Sequence, residues 1–179
     1  IEKHLQLHPD DARALYLGAA SLCQLEEKAR SLEWAQMALA IEPGVTVKFN
    51  QGVLFDVYGT LNARGTAAAP ITFTSNGNLV PGWWRNIWFE PSGSGTLDNC
   101  KVLYAGASDN TAILCAGGTS PTVSNSEISS SSGNGILVLD TAKPILSPNN
   151  IIEKCGGVGV RNDGSATVNA EDNWWGDAS

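Results

Sequence analysis

The spacing of hydrophobic positions changes once along the chain, near Pro43-Gly44. Before that point apolar residues fall at helical intervals. Ala14, Leu17 and Ala20 follow Pro9, Asp10 and Asp11, which supply a cap and negative charge for a first helical turn. Leu32, Ala35 and Leu39, with Trp34 and Met37, mark the buried side of a second helix over about residues 28–41, stopped by Pro43 and Gly44. After Gly44 the helix formers give way to Gly, Asn, Ser, Thr and Val in short runs, and the pattern repeats. Asn99-Cys-Lys-Val102 aligns with Asn125-Ser-Glu-Ile128, Asn149-Asn-Ile-Ile152 and Asp172-Asn-Trp-Trp175, at offsets of 26, 24 and 23. A second set, Ile87, Ile113, Ile136 and Val158, drifts in parallel at 26, 23 and 22.

Two markers drifting together predict a coil. Each turn lays down short strands, and the next turn stacks its strands in parallel about 4.8 Å away, like residue on like. Val102, Ile128, Ile152 and Trp175 are then an inward apolar row. Asn99, Asn125, Asn149 and Asp172 form a polar row at a bend, where Asn tolerates left-handed backbone. The expected class is mainly β: a parallel β-helix over 44–179, with an α-helical hairpin over 1–43 as its N-terminal cap.

The helical part has its own repeat. Leu5-Gln-Leu-His-Pro9 matches Leu39-Ala-Ile-Glu-Pro43 at an offset of 34 residues. With Ala14-Leu-Tyr-Leu-Gly18 and Trp34-Ala-Gln-Met-Ala-Leu39, this stretch resembles one tetratricopeptide repeat and the tail of another. Ser21 or Leu22 stands where the usual aromatic follows the first-helix glycine, so the match is partial. A single such repeat cannot bury both its faces, since roughly three are normally needed, and must lean on a neighbour.

The β part resembles bacterial right-handed parallel β-helix proteins with a pectate-lyase-like fold. The residues that carry the likeness are Ile41-Glu-Pro-Gly-Val-Thr-Val-Lys-Phe49, Val57-Tyr-Gly-Thr-Leu-Asn-Ala-Arg-Gly65, Pro70-Ile-Thr-Phe-Thr-Ser75 and the closing Asn173-Trp-Trp-Gly176. The resemblance implies a cell-surface or secreted setting, whereas the helical part suggests cytoplasm. Some relatives with this fold are polysaccharide lyases, hydrolases or epimerases, and many have no active site, so fold alone does not transfer function. Ile41-Glu-Pro43 serves both motifs, which looks like a fusion, natural or artificial, at a shared tripeptide.

Composition narrows the partners. The chain holds 11 Lys plus Arg against 18 Asp plus Glu, a net charge of -7, with no basic cluster, which argues against nucleic acid and anionic membranes. No apolar run approaches the ~18 residues of a membrane span. The chain starts with Ile1, as a fragment or processed product would. Cys23, Cys100, Cys115 and Cys155 form no CxxC pair and match no common zinc spacing, so they read as small buried side chains.

Candidate chemistry is sparse. Pro81-Gly-Trp-Trp-Arg85 puts two indoles in a turn, and an exposed one of Trp83 and Trp84 would stack on a sugar ring. The competing reading, that they cover the gap between coils or wrap onto the helical cap, is favoured. Trp174 is expected to face out and Trp175 to plug the last coil. Asp140 and Asp163 end consecutive versions of one strand, with strict stacking placing Asp140 on Asn162. The two acids could work as acid and base or nucleophile on a glycan, or hold Ca²⁺ with Asn162. A plain acidic loop outweighs both. Arg161 and Lys143 are nearby but isolated, without the arrangement that lyases resembling this fold use on a polyuronate. His4 and His8, four residues apart, could share a metal but lack a third ligand. No Ser-His-Asp set, P-loop or dinucleotide fingerprint is present.

Three functions compete. The first is a non-catalytic structural or binding module that contacts polysaccharide through Trp83, Trp84 or Trp174. The second is a carbohydrate-active enzyme using Asp140 and Asp163. The third is a homodimer or partner-binding module that uses the apolar face of the helical hairpin, through Trp34 and Leu39.

Overall fold

The computed structural model describes residues 40–176, and the chain divides after Ile41 into two compact units. The predicted hairpin, with His4, His8, Cys23, Trp34 and Leu39, lies outside the described residues. The last two residues assigned to its second helix are described, and they form a strand, β1 (Ala40–Ile41). A β-branched Ile two residues before Pro43, which donates no amide hydrogen, suits a strand end better than a helix end. Gly44, at φ +81°, then turns the chain into the first coil and donates to the Ala69 carbonyl at 2.9 Å.

The first coil carries β2 (Thr46–Phe49), β3 (Phe55–Val57) and β4 (Thr60–Arg64). The second carries β5 (Ile71–Ser75), β6 (Ile87–Phe89) and β7 (Ser94–Asp98). β8 (Cys100–Leu103), β9 (Thr111–Cys115) and β10 (Thr122–Ser124) follow. Then come β11 (Glu127–Ser129), β12 (Asn134–Val138) and β13 (Ile145–Leu146), and finally β14 (Ile151–Glu153) and β15 (Val160–Asn162). Every third strand pairs in parallel. One sheet runs β2-β5-β8-β11-β14, a second β3-β6-β9-β12-β15, and the third contains β4-β7-β10-β13. The winding is a right-handed parallel β-solenoid of about five turns, the hand expected of parallel crossovers.

Stacking fixes the core. Val102, Ile128 and Ile152 lie in register and are buried, as the first repeat predicts. Ile87, Ile113 and Ile136 do the same in the second sheet. The fourth member there is Val160 and not Val158. The bend before β15 keeps the length of the bend before β12. Gly156 and Gly157 donate to the Ser131 and Gly133 carbonyls, both at 2.9 Å, so the offset is 24 and Val158 stays outside, 53% exposed. Cys100 and Cys115 are buried free thiols, and burial pushes each up to about 12. Cys155 is half-buried and also raised by burial. At the N-terminal end the core is aromatic. Trp84 stacks on Phe49 at 4.2 Å and 18°, and Phe49 on Phe73 at 6.5 Å.

The aligned quartets assign one task to each of their positions. Asn99, Asn125, Asn149 and Asp172 hold φ of 49°, 48°, 71° and 58°, the left-handed bend predicted for them. The second position is a buried polar ladder. Cys100 N donates to Ser126 Oγ, Ser126 N to Asn150 Oδ1, and Asn150 N to Asn173 Oδ1, each at 3.0 Å. Each bend thereby borrows an acceptor from the coil below for an amide that the turn would otherwise strand.

One carboxylate braces this corner. Asp98 Oδ1 accepts from Ser124 Oγ at 2.8 Å and Asn125 Nδ2 at 2.9 Å. Burial pushes the Asp98 carboxyl up, but hydrogen bonds from Asn125, Ser124 and Asn99 and the charge of Arg64 more than offset that and hold it below its usual range. A carboxylate depressed in the fold stabilises above its unfolded pKa of about 3.9 and stops doing so as pH falls through the lower folded value. The melting temperature of Asp98→Asn should therefore fall less steeply than wild type on acidification below about pH 4. Superimposable acid profiles would remove Asp98 from the account.

Candidate functional site

The third position of each quartet faces outward and builds the surface of interest. Lys101, Glu127 and Ile151 are in register on β8, β11 and β14, and a bridge between Ile151 and Trp174 extends the row by one coil. Lys101 Nζ sits 3.2 Å from a Glu127 carboxylate oxygen. Ile151 is 42% exposed and Trp174 52%. Beside this row runs the bend row, so polar amides flank it on one side. Two adjoining clefts follow the corner, of about 270 and 420 Å³, and share Asn149 and Ile151 as lining. Together they reach from Asn99 and Lys101 to Asp172 and Trp174.

Trp174 is tied through its backbone to the preceding coil. Its amide donates to the Asn150 carbonyl and its carbonyl accepts from Ile152 N, both at 2.8 Å. Glu153 lies beside it. The hydrogen bond from Lys154 outweighs Glu153's slight desolvation and, with the Trp174 side chain contributing, holds that carboxyl below its usual range. The other indoles differ. Trp84 is fully buried, with Nε1 donating to the Leu103 carbonyl at 2.8 Å. Trp84 is therefore not the exposed sugar platform weighed as the less favoured alternative: past the turn at Pro81-Gly82 it enters the aromatic part of the core. Trp83 is half-buried and spends its Nε1 on the Phe49 carbonyl at 3.1 Å. Trp175 is level with Ile152 and packs over Gly159, where a Cβ would come within 2.7 Å of its ring, yet it remains 44% exposed. It covers only part of the last coil.

The acidic candidates are placed separately. With Val138 paired to Asn162, Asp140 comes level with Gly164, not with Asn162 as an offset of 22 required. Asp140 Oδ2 accepts from Gly117 N at 3.0 Å, in the coil above. Asp163 takes both arms of Arg161, at 3.0 and 2.9 Å. Arg161 is therefore not isolated, and the ion pair is largely exposed. Asn162 folds back on its own loop, donating to the Ala166 carbonyl at 2.8 Å and accepting from Gly164 N at 3.0 Å. Lys143 stands exposed on the turn after β12. Among the described residues no group of three or more His, Cys, Asp or Glu is placed to hold a metal ion.

Sequence reasoning found Trp174 but passed over Lys101, Glu127 and Ile151. The signal was present in the quartets, whose third position lies between a buried second and a buried fourth and so must face out.

A sequence model of the family described as "Right handed beta helix region" matches residues 71–176. No curated protein and no solved structure matches the chain. The family match spans β5 to the last bridge and more than half of the sequence, over the same coils whose strands stack in the structure. This chain therefore belongs to the right handed beta helix region family.

Proposed function

We propose that this chain is a non-catalytic binding module whose β-helix contacts polysaccharide through the outward row that ends at Trp174. The observation that carries the reading is the exposed indole at the end of a cleft lined by Asn149, Ile151, Asp172 and Asn173, on a backbone held by hydrogen bonds to the preceding coil. An indole face stacks on the C–H face of a sugar, and flanking amides meet its hydroxyls. Binding is favoured over cleavage because Asp140 and Asp163 are each engaged with a different partner, Gly117 and Arg161. Neither leaves a free carboxylate beside the other for acid–base work.

The test is affinity electrophoresis through neutral and acidic polysaccharides, read alongside tryptophan fluorescence. Retardation on at least one polymer, with a shift of the emission maximum, is expected for the wild type. Trp174→Ala should lose about 1–2 kcal/mol of binding, roughly tenfold or more, with its melting temperature lowered by no more than about 5 °C because the residue is 52% exposed. If Trp174→Ala binds every retarding polymer as tightly as wild type does, the row is not the site. If nothing is retarded, the binding reading fails.

A further inference from the structure

We infer that the ligand of this row is an uncharged, extended β-1,4-linked glycan strand lying parallel to the solenoid axis, with about one sugar per coil. The inference rests on the glycan-binding reading and adds the polymer's class, direction and register. Its first support is geometric. The cleft is periodic along the axis: Asn99, Asn125, Asn149 and Asp172 repeat once per coil on one side, and Lys101, Glu127, Ile151 and Trp174 repeat in step on the other. Successive coils are about 4.8 Å apart, close to the advance of one sugar in an extended β-1,4 chain. Four rungs span about 14 Å, enough to seat four sugars. A strand laid across the axis would meet only one rung of the two rows.

The second support is charge. The cleft is lined by one cation, Lys101, and two acids, Glu127 and Asp172, and the cation is already paired with Glu127 at 3.2 Å. A polyuronate brings one carboxylate per sugar and would find no free cation among the lining residues, with Asp172 directly opposing it. A neutral polymer meets the exposed Asn149 side chain, the Trp174 ring and the Ile151 side chain, which suit hydroxyls and C–H faces.

Titration calorimetry with neutral β-1,4-gluco-oligosaccharides and with oligogalacturonates, each of two to six sugars, tests this. The neutral series should tighten with each sugar up to four and then level off, while oligogalacturonates of equal length bind at least about tenfold more weakly at low salt. Glu127→Arg, two coils from Trp174, should weaken the four-sugar ligand by about tenfold and leave the two-sugar ligand unchanged. Tighter binding of oligogalacturonate, with Trp174 still required, would overturn this inference while the binding-module reading stands. A neutral series flat beyond two sugars, or indifferent to Glu127→Arg, would overturn the axial direction. Absence of binding in both series, together with no retardation on any polymer, would remove the inference and the reading beneath it.

Discussion

Trp84→Ala is expected to cost about 3–5 kcal/mol, the range for deleting a buried large aromatic. The side chain is fully buried, and it is the largest such residue in the described core. Its removal leaves a cavity facing Phe49, whose ring lies 4.2 Å away, and strands the Leu103 carbonyl that Nε1 satisfies at 2.8 Å. Trp84 sits between Phe49 of the first coil and Leu103 of the third, and an interior packed this closely relaxes only in part into a cavity. Thermal unfolding should start about 10 °C lower and lose its single step, because nearest-neighbour stacking lets one end of a solenoid open before the other. Trp84→Phe separates the two contributions: it keeps the stack, loses the hydrogen bond and should cost about 1–1.5 kcal/mol. Trp83→Ala, at a half-buried ring, should cost less than Trp84→Ala. Urea unfolding followed by circular dichroism measures all three. An equal cost for the two alanine variants would mean that Trp84 is not the anchor of this end.

That the coil was legible in the sequence follows from how a solenoid is built. Like stacks on like, so the quartets carried the register of β8, β11 and β14 directly, and the four left-handed bends came with them. Where the repeat was read one turn too far, it failed for a specific reason. Val158 resembles Ile136 in kind, but the bend before it is held by glycine-to-carbonyl bonds that keep its length, so Val160 takes the inward place. The error moved Asp140 onto Asn162, although Asp163 stands one residue out of register with Asp140 in either alignment. A second left-handed row, at Tyr104, Ser130 and Lys154, was not legible at all. Tyr and Lys carry no preference for that backbone, and the conformation there is imposed by stacking. The direction of Trp84 was equally hidden. Two adjacent indoles in a turn state that they point differently, but not which one enters the core. The outward row was half legible: alternation marks the third quartet position as exposed, but only the bridge to Ile151 shows Trp174 continuing that row.

Asn150→Ala should be almost as damaging, although it removes few atoms. The Asn150 side chain is fully buried and makes three hydrogen bonds. Its Nδ2 donates to the Val123 carbonyl at 3.0 Å and the Ser147 carbonyl at 2.7 Å, and its Oδ1 accepts from Ser126 N at 3.0 Å. Alanine leaves the Ser126 amide and the Ser147 carbonyl without the Asn150 side chain, while the Val123 carbonyl keeps Ser147 N at 3.0 Å. Each such group costs about 1–3 kcal/mol, so a total of about 3–4 kcal/mol is expected after some rescue by water. The neighbouring Asn149→Ala is the control. Asn149 is exposed and contributes chiefly its tolerance of φ +71°, worth about 1–2 kcal/mol. Asn150→Asp sharpens the contrast, because it keeps the acceptor for Ser126 N but turns a charged oxygen towards two carbonyls. It should be at least as unstable as Asn150→Ala near neutral pH and recover in part in acid, where a protonated carboxyl donates again. Because the Asn150 side chain ties its coil to that of Val123 and Ser126, its loss should also loosen the spacing of Glu127 and Ile151 and weaken long glycans more than short ones. If Asn150→Ala proved no less stable than Asn149→Ala in urea, the buried ladder would not be what holds these coils in register.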